Sequence, residues 1–480
     1  MRPAVAVYYI GFVLTFVSLF MLGSALVGTA FHDGSAGLLA LSGILVSGFG
    51  LFPIVLIPRG GRLTPREGVL VVTGAWVACI VFGAIPFYLH GPPFSVVNAL
   101  FESFSGFTTT GASILEKVEA LPKGLLFWRS LTHWIGGIGI VVFALAILPS
   151  FGRVEHVLLR QELSPLATSP SLPKARDVAR VIAVVYLSLT ALQTVALLAA
   201  GLGLFDALTT TFGTVATGGF AVRDGSISAY HSVPVEVIVI VFMVLSGMNF
   251  AFLLNLVAAR FSWREGWAVA RFYLCLLAAG SLIASVAVHG TTYASWGEAI
   301  RYGTFQVVAL GTSTGFASAD SSVWRPAAGT VLVIATFICA CAGSTSGGIK
   351  VDRILLCLKA ARLWIKRSVH PSLVGTIRVG SHTVSPQVVG DAVLFIVLYV
   401  STAALGSLLL AITGVPLTEA FTGTAACLGN VGPGLGSVGS MGNYNALNDL
   451  AKIILCGIML VGRLEILALV LPFTPAFWRR

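Results

Sequence analysis

The sequence predicts an all-α polytopic membrane protein with about ten transmembrane helices, and three observations lead to that prediction. Of the 480 residues, 56% are apolar and only 10% are Asp, Glu, Lys or Arg, whereas soluble domains carry about 25% charged residues. The apolar residues form runs of about 20, the length that one spanning helix needs. After the first two runs, one pattern recurs along the chain. The composition excludes a soluble enzyme, a disordered chain and a disulfide-rich secreted fold.

Ten apolar runs are candidates for spanning helices. The first is too long for the apolar core of a signal peptide, about 7–15 residues, and a second run follows almost at once, so both are expected to be retained. Four shorter segments are too short or too polar to span. The ten runs cover residues 3–31, 38–57, 68–90, 126–150, 178–203, 233–259, 268–289, 327–349, 388–413 and 450–471, and the short segments cover 96–107, 205–214, 297–310 and 417–428.

The distribution of positive charge predicts the orientation of these helices. With a cytoplasmic N-terminus and every short segment entering from outside, 21 of the 29 Lys and Arg residues fall in inner loops or at the termini. This bias follows the positive-inside rule and predicts that both termini lie in the cytoplasm. The net charge of +10 is therefore explained by topology, and nucleic acid is not expected as a partner.

A fourfold repeat follows the N-terminal helix pair. Each unit contains a helix, a short segment, a glycine-containing turn and a second helix. The predicted divisions are 1–66 for the helix pair and 67–160, 161–263, 264–370 and 371–480 for four repeats around one pseudo-fourfold pore. The turns read TTTGAS (108–113), TVATGGF (214–220), GTSTGFAS (311–318) and LGNVGPG (428–434), with aligned glycines at Gly111, Gly218, Gly315 and Gly432.

Four such turns around one axis predict a site for a dehydrated monovalent cation. Irregular backbone at membrane depth persists only where it is buried or lines a water-filled cavity, and rings of backbone carbonyls can replace the hydration shell of an ion. Glycine permits positive φ and leaves the lumen open. The alternative is that these glycines serve only helix packing. The predicted ion-binding residues are Thr109, Thr110, Gly111, Ala216, Thr217, Gly218, Ser313, Thr314, Gly315, Asn430, Val431 and Gly432.

A run of small residues interrupts the eighth apolar run. Such a run forms a poor helix, so it is predicted to break the helix about midway, on the cytoplasmic side of the ion site. One interpretation is a mobile constriction that gates the pore, and the alternative is a tightly packed helix crossing. A gate predicts that shortening the segment increases flux, whereas a packing element predicts loss of folded protein. The residues are Gly343, Ser344, Thr345, Ser346, Gly347 and Gly348.

Arg463 lies deep in the last apolar run. Arginine at a helix centre costs at least about 2.5–3.5 kcal/mol on insertion scales, so it should face a partner or water. One interpretation is a structural pair with Glu465 or another acid, although residues two apart do not face each other on a helix. The other is that Arg463 projects into the pore below the ion site as an electrostatic barrier.

The remaining residues indicate neither a bound cofactor nor an enzymatic activity. The seven cysteines lie almost wholly within apolar runs, without a CxxC pair, and are interpreted as small buried hydrophobes. A membrane enzyme would require converging acids, His or Cys in the spans, and these are nearly absent. The cysteines are at positions 79, 275, 339, 341, 357, 427 and 456.

Seven segments, taken together, carry a resemblance to a known family. They are FESFSGFTTTGAS (101–113), DALTTTFGTVATGGF (206–220), FQVVALGTSTGF (305–316), GNVGPG (429–434), HWIGGIGI (133–140), AGSTSGGIK (342–350) and GRLEI (462–466). They resemble the corresponding segments of the Trk/Ktr/HKT potassium transporters. The N-terminal helix pair makes the chain most similar to the TrkH branch, since Ktr-type subunits usually lack that pair.

The resemblance implies K+ uptake, with K+ (or Rb+ in its place) held at a selectivity filter formed by the twelve residues named above. It also implies an intramembrane gating loop at residues 343–348 and a pore-facing arginine at Arg463. Glycine at all four filter positions resembles the potassium-selective members. A homodimer with a cytosolic nucleotide-binding subunit of the TrkA type is implied as well. The alternative function is Na+- or H+-coupled symport by a fold with broken helices, but such folds usually consist of two inverted halves.

Overall fold

The computed structural model describes residues 2–58, 64–139, 175–257, 266–380, 382–464 and 471–478. Most of these residues are helical, as the apolar runs predict. The helices are α1 (Pro3–Phe31), α2 (Ala36–Leu56), α3 (Pro65–Gly83), α4 (Ile85–His90), α5 (Val96–Phe107), α6 (Lys123–Ile138), α7 (Ala175–Ala199), α8 (Leu204–Val215), α9 (Val233–Ser246), α10 (Phe250–Val257), α11 (Trp267–Val288), α12 (Trp296–Gly311), α13 (Pro326–Ile338), α14 (Val351–Val369), α15 (Pro386–Ile412), α16 (Leu417–Leu428), α17 (Asp449–Leu464) and α18 (Pro475–Trp478).

Within the described residues, six helices are long and apolar enough to cross a membrane, or seven if the bent pair α9 and α10 is one span. The sequence predicts about ten. The difference lies at α6, α13 and α17, which have 16, 13 and 16 residues, fewer than the about 20 that one span needs. The predicted continuations of α6 and α17, at 140–150 and 465–470, lie outside the described residues. Helix α13 ends at Ile338, shortly before the run of small residues that begins at Gly343.

The long helices expose apolar side chains that a water-soluble protein would bury. On α1 and α2, Leu26, Phe52 and Val55 are 72%, 68% and 79% exposed. Exposed apolar surface along successive helices indicates contact with a hydrophobic medium. Together with the apolar helices, this surface is that of a multi-pass membrane protein.

The helices α1 and α2 pack closely because glycines line their interface. A Cβ atom on Gly11 would lie 2.5 Å from the carbonyl oxygen of Gly50, and one on Gly50 would lie 2.5 Å from Thr15 Oγ1. Small residues of this kind allow two membrane helices to approach. The start of α1 is also joined to α3, since Arg2 Nη2 lies 3.0 Å from Glu67 Oε2.

Gly50→Val is expected to destabilise the protein, because the larger side chain would overlap α1. Overpacking of this kind typically costs about 1–3 kcal/mol, so the melting temperature of the purified protein in detergent should fall by about 1–3 °C for a chain of this length. Gly48→Val is the matched control, because a Cβ at Gly48 meets nothing within 4 Å. Equal melting temperatures for the two variants would contradict this account of the helix pair.

Two breaks in the helical backbone pack against each other. The pair α9 and α10 bends by 105°, and α13 and α14 are separated by residues 339–350, where the run of small residues predicts a break. Across the two breaks, Cys341 N donates to the Gly247 carbonyl and Phe250 N to that of Gly343, both at 3.0 Å. Non-helical backbone at membrane depth needs such partners, so the two breaks support each other.

A short hairpin interrupts the mostly helical structure. Strands β1 (Ile377–Val379) and β2 (His382–Val384) pair antiparallel, with Arg378 opposite Thr383. The alternating sequence around Gly380 is typical of a tight hairpin, and it lies in the connection between the eighth and ninth apolar runs.

Several predictions fall partly outside the described residues. The divisions between 160 and 161 and between 263 and 264 do so, as does Glu465. The division after residue 66 falls in the first turn of α3, and the one after 370 follows the end of α14. The basic residues of the inner-loop prediction that lie outside the described residues are Arg59, Arg62, Arg153, Arg160, Lys174, Arg260, Arg264, Arg479 and Arg480.

Candidate functional site

Four short helices, α5, α8, α12 and α16, end in the same kind of turn. In the first, Thr109 N donates to the Gly106 carbonyl at 3.1 Å and Thr110 N to the Ser105 carbonyl at 2.9 Å. The other three helices end in the same pair of bonds, which define a Schellman cap. The capping residues have positive φ although none is glycine, a conformation that concentrates at functional sites. They are Thr109, Thr217, Ser313 and Asn430, with φ between 51° and 56°.

The residue two positions after each capping residue is a glycine with positive φ. These glycines are Gly111, Gly219, Gly315 and Gly432, with φ of 81°, 78°, 75° and 93°. The alignment of Gly218 with Gly111 is therefore one residue out of register. The sequence TGGF offers two consecutive glycines, and only the backbone angles and hydrogen bonds tell them apart. We call residues 108–111, 216–219, 312–315 and 429–432 turns 1 to 4.

The third short helix differs from the others only at its start. Helix α12 has 16 residues where α5, α8 and α16 have 12. Ser313 N and Thr314 N donate to the carbonyls of Leu310 and Ala309, as the equivalent residues do in the other turns. The extra helical turn therefore lies at the N-terminal end of α12 and leaves the register of turn 3 unchanged.

The four turns contact one another in a closed cycle. A Cβ atom on Gly111 would overlap the carbonyl oxygen of Gly218 in turn 2, and one on Gly219 would overlap that of Thr314 in turn 3. In the same way, Gly315 abuts the Val431 carbonyl in turn 4, and Gly432 abuts the Thr110 carbonyl in turn 1. Each glycine thus permits the approach of the equivalent carbonyl of the next turn. This cycle brings together residues more than 300 positions apart.

The carbonyl oxygens of this cycle have no hydrogen-bond donor among the described residues. They belong to Thr110, Gly218, Thr314 and Val431, all of which are buried. A buried backbone carbonyl normally has a partner, so four together form a set of unused oxygen ligands. The short helices end beside them, and the negative end of a helix dipole favours a cation.

The run of small residues contacts turns 2, 3 and 4. Thr345 Oγ1 donates to the Val215 carbonyl at 3.1 Å, and Gly347 N donates to Ser313 Oγ at 3.3 Å. A Cβ on Gly347 would lie 2.5 Å from the carbonyl oxygen of Gly429. We call residues 343–348 the crossing segment. Its hydrogen bonds run to the ends of the short helices and to the capping residues.

Arg463 connects the crossing segment to α6. Its Nη1 donates to the Thr345 carbonyl and its Nη2 to the Gly136 carbonyl, both at 2.7 Å. Gly136 itself packs against the carbonyl of Phe107, the last residue of α5 before turn 1. Arg463 therefore links the crossing segment, which contacts turns 2 to 4, to the part of α6 that packs against the end of α5. The predicted pairing with Glu465 falls on a residue outside the described part of the chain.

A cavity of about 70 Å³ lies between the crossing segment and Arg463. It is lined by polar backbone and by charged side chains, including Lys350 and Arg463, together with Gly137 and Phe250. A polar cavity of this size has room for water.

The described cysteines and acids are not arranged as a metal site. Across the ranges that the structure covers, no group of three or more His, Cys, Asp or Glu residues is placed to hold a metal ion. Of the seven cysteines, Cys275 is exposed and Cys357 is half-buried. The interpretation as buried hydrophobes therefore fits the other five, which are Cys79, Cys339, Cys341, Cys427 and Cys456.

Comparison with known proteins gives consistent matches along the chain. The model of the TrkH family, described as cation transport protein, matches residues 59–266 and 265–480. The Trk system potassium uptake protein TrkH of Halomonas elongata is 38% identical, with 98% of each chain covered. The protein of the same name from Escherichia coli K12 is 36% identical, with 87% of each chain covered.

A solved structure is similar over the whole length. The crystal structure of the potassium transporter TrkH from Vibrio parahaemolyticus matches with a TM-score of 0.89 and 34% identity, covering 100% of both chains. The similarity therefore includes the N-terminal helix pair, the four turns and the crossing segment. A family model that matches most of the chain and relatives above 30% identity lead to one conclusion: this chain belongs to the TrkH family of cation transport proteins.

Proposed function

We propose that this protein takes up K+ across the bacterial cytoplasmic membrane through the ring formed by turns 1 to 4. The cycle of unpartnered carbonyls from Thr110, Gly218, Thr314 and Val431 carries the proposal, because such a ring can replace the hydration shell of a monovalent cation. Relatives named potassium uptake proteins support K+ as the ion. The activity is transport, and no enzymatic reaction is proposed.

The proposed filter differs from the one read from the sequence at a single point. In turn 2 the proposed filter consists of Thr217, Gly218 and Gly219, so that Gly219 is added and Ala216 is left out. The other filter residues stay as predicted in turns 1, 3 and 4, and Ala216 lies at the end of α8, where its carbonyl accepts from Thr217 Oγ1 at 2.7 Å. The matching caps of the four short helices support four pseudo-symmetric repeats around one pore, with about ten spans in all.

The crossing segment and Arg463 are proposed to close the pore below the filter. The segment touches three of the four turns, and Arg463 ties it to α6 beside the first. A closed gate needs contacts that hold a mobile segment across the ion path. When the crossing segment moves, its hydrogen bonds can be replaced by hydrogen bonds to water. The position of a cationic guanidinium on the same path would add an electrostatic barrier to cations.

The proposed assembly is a homodimer in the inner membrane, with both termini in the cytoplasm and a nucleotide-binding subunit of the TrkA type on that side. The positive-inside bias supports the orientation. On α14, Arg362, Lys366 and Arg367 are exposed, which offers a basic cytoplasmic surface to a partner. The relatives' names refer to a Trk system, which supports a further component.

Expression in a bacterium that lacks its own K+ uptake systems tests the function. The protein is expected to restore growth at low K+ concentration and to mediate Rb+ uptake, because Rb+ is close to K+ in size and charge. The same cells with an empty vector provide the baseline. Absence of both growth and Rb+ uptake, with the protein present in the membrane, would refute the proposal.

A coupled symporter is the second candidate, and the 105° bend between α9 and α10 favours it, since discontinuous helices are common in secondary transporters. Purified protein in liposomes separates the two mechanisms. If the protein is a pore, an outward K+ gradient alone should drive Rb+ uptake, without any Na+ or H+ gradient. If it is a symporter, uptake should require an inward Na+ or H+ gradient, and that gradient should accumulate Rb+ against its own concentration gradient.

A further inference from the structure

A buried ion pair lies behind turns 1 and 2. Glu102 on α5 and Arg129 on α6 are 0% and 2% exposed, and Arg129 Nε lies 2.6 Å from Glu102 Oε1. Two charges withdrawn from solvent in this way need further polar partners. Their remaining contacts show what the pair holds in place.

Glu102 binds the chain that leaves turn 1. Its Oε1 also accepts from Ser113 Oγ at 2.9 Å, and its Oε2 accepts from Ile114 N at 3.1 Å. Ser113 and Ile114 follow Gly111 by two and three residues. Three donors thus converge on one carboxylate, which fixes the backbone immediately after turn 1.

Arg129 binds the chain that leaves turn 2. Its Nη1 donates to the Ala221 carbonyl at 2.9 Å, and its guanidinium lies 3.5 Å from the ring centre of Phe220. His133, one helical turn further along α6, also stacks on Phe220, with centres 4.0 Å apart and planes 11° apart. Phe220 directly follows Gly219, so two side chains of α6 hold the backbone immediately after turn 2.

The other turns have no equivalent ion pair among the described residues. The positions that match Glu102 in α8, α12 and α16 are Thr210, Gln306 and Gly423. Thr210 Oγ1 lies 3.5 Å from the Tyr230 hydroxyl, and Gln306 Nε2 donates to the Ala319 carbonyl. A charged pair that binds two consecutive turns is therefore particular to turns 1 and 2.

We propose that Glu102 and Arg129 are positioning residues that set the spacing of turns 1 and 2, and with it the discrimination of K+ against Na+. The inference rests on the proposed function. Na+ is smaller than K+, so a ring that can contract or deform on one side provides closer oxygens and accepts it better. The pair joins the backbone after turn 1 to the backbone after turn 2 through one rigid connection, which opposes that deformation.

Glu102→Gln tests this role with little change in shape. A carboxylate accepts all three donors on two oxygens, whereas the glutamine amide presents a donor of its own toward one of them. The Na+ to Rb+ uptake ratio is expected to rise about tenfold, the effect of losing one hydrogen bond to a charged group. Arg129→Lys should act in the same direction, because lysine cannot bind Glu102 and Ala221 in the fork geometry of arginine.

Glu236→Gln is the matched control. Glu236 on α9 is also buried and accepts from Arg301 Nε and Nη2 at 2.6 and 2.7 Å, but this pair joins α9 to α12 and makes no contact with a turn. It should lower stability while leaving the Na+ to Rb+ ratio at the parental value. A purely structural role for Glu102 would give the same result as this control.

The outcomes separate this inference from the proposed function. If the parent protein mediates no Rb+ uptake, the proposed function fails first. If the parent transports Rb+ and both Glu102→Gln and Arg129→Lys keep the parental ion ratio, the positioning role is overturned. It is also overturned if neither variant accumulates in the membrane while Glu236→Gln does, because the pair would then serve folding.

Discussion

Replacement of Arg463 by glutamine is expected to raise the rate of Rb+ uptake about tenfold. The guanidinium donates two hydrogen bonds of 2.7 Å, one to the crossing segment at Thr345 and one to α6 at Gly136. A hydrogen bond from a charged donor contributes about 1.5–3 kcal/mol. Loss of even one such bond should therefore raise the population of the displaced crossing segment about tenfold. The substitution also removes a positive charge from the proposed path of a cation. Initial uptake rates, divided by the amount of protein in the membrane, measure the effect.

Lys452→Gln is the matched control for this experiment. It removes a positive charge from the same helix, α17, but at a distance from the crossing segment, where Lys452 Nζ donates to Asn98 Oδ1 at 2.9 Å. Uptake should stay close to the parental rate. Reduced membrane levels of Arg463→Gln with an unchanged rate per molecule would show that Arg463 stabilises the fold and does not restrict the pore.

Gly219→Ala is expected to reduce Rb+ uptake about tenfold or more. Alanine at a φ of 78° costs about 1–2 kcal/mol, and its Cβ would overlap the carbonyl oxygen of Thr314 in turn 3. Because that obstacle is backbone, relief requires displacement of turn 3 itself. Gly457→Ala in α17 is the control, since a Cβ there meets nothing within 4 Å.

The neighbouring Gly218 should respond differently, and this difference tests the register of turn 2. Its φ is not positive, and a Cβ there would overlap the side chain of His133, not backbone. Gly218→Ala should therefore lose uptake alone but recover it when combined with His133→Ala, measured against His133→Ala by itself. Gly219→Ala should gain nothing from His133→Ala. Rescue of Gly219→Ala but not of Gly218→Ala by His133→Ala would instead favour the alignment of Gly218 with Gly111.

The membrane class, the positions of the four short helices and the break before α14 could all be predicted from the sequence. Each depends on local composition: long apolar runs need a membrane, short amphiphilic segments end at glycine-rich turns, and small residues at 343–348 do not support a helix. The extent of one span was less well predicted, because α13 ends at a break whose backbone contacts other helices, whereas the predicted continuations of α6 and α17 lie outside the described residues. The hairpin at Gly380 was missed for a related reason, since a three-residue strand has too little periodicity to separate it from a connection.

The tertiary structure alone decided which glycine of turn 2 has positive φ, what Arg463 binds and that Glu102 meets Arg129. Gly218 and Gly219 are indistinguishable by local propensity, because both permit the required angles. The choice depends on which of them the Thr314 carbonyl approaches, a contact made across about a hundred residues of chain. Arg463 likewise had to find partners, as insertion energetics require, but only the packed helices place Thr345 and Gly136 within its reach. Local physics thus determined where the chain bends, and the packing of distant segments determined which atoms those bends present.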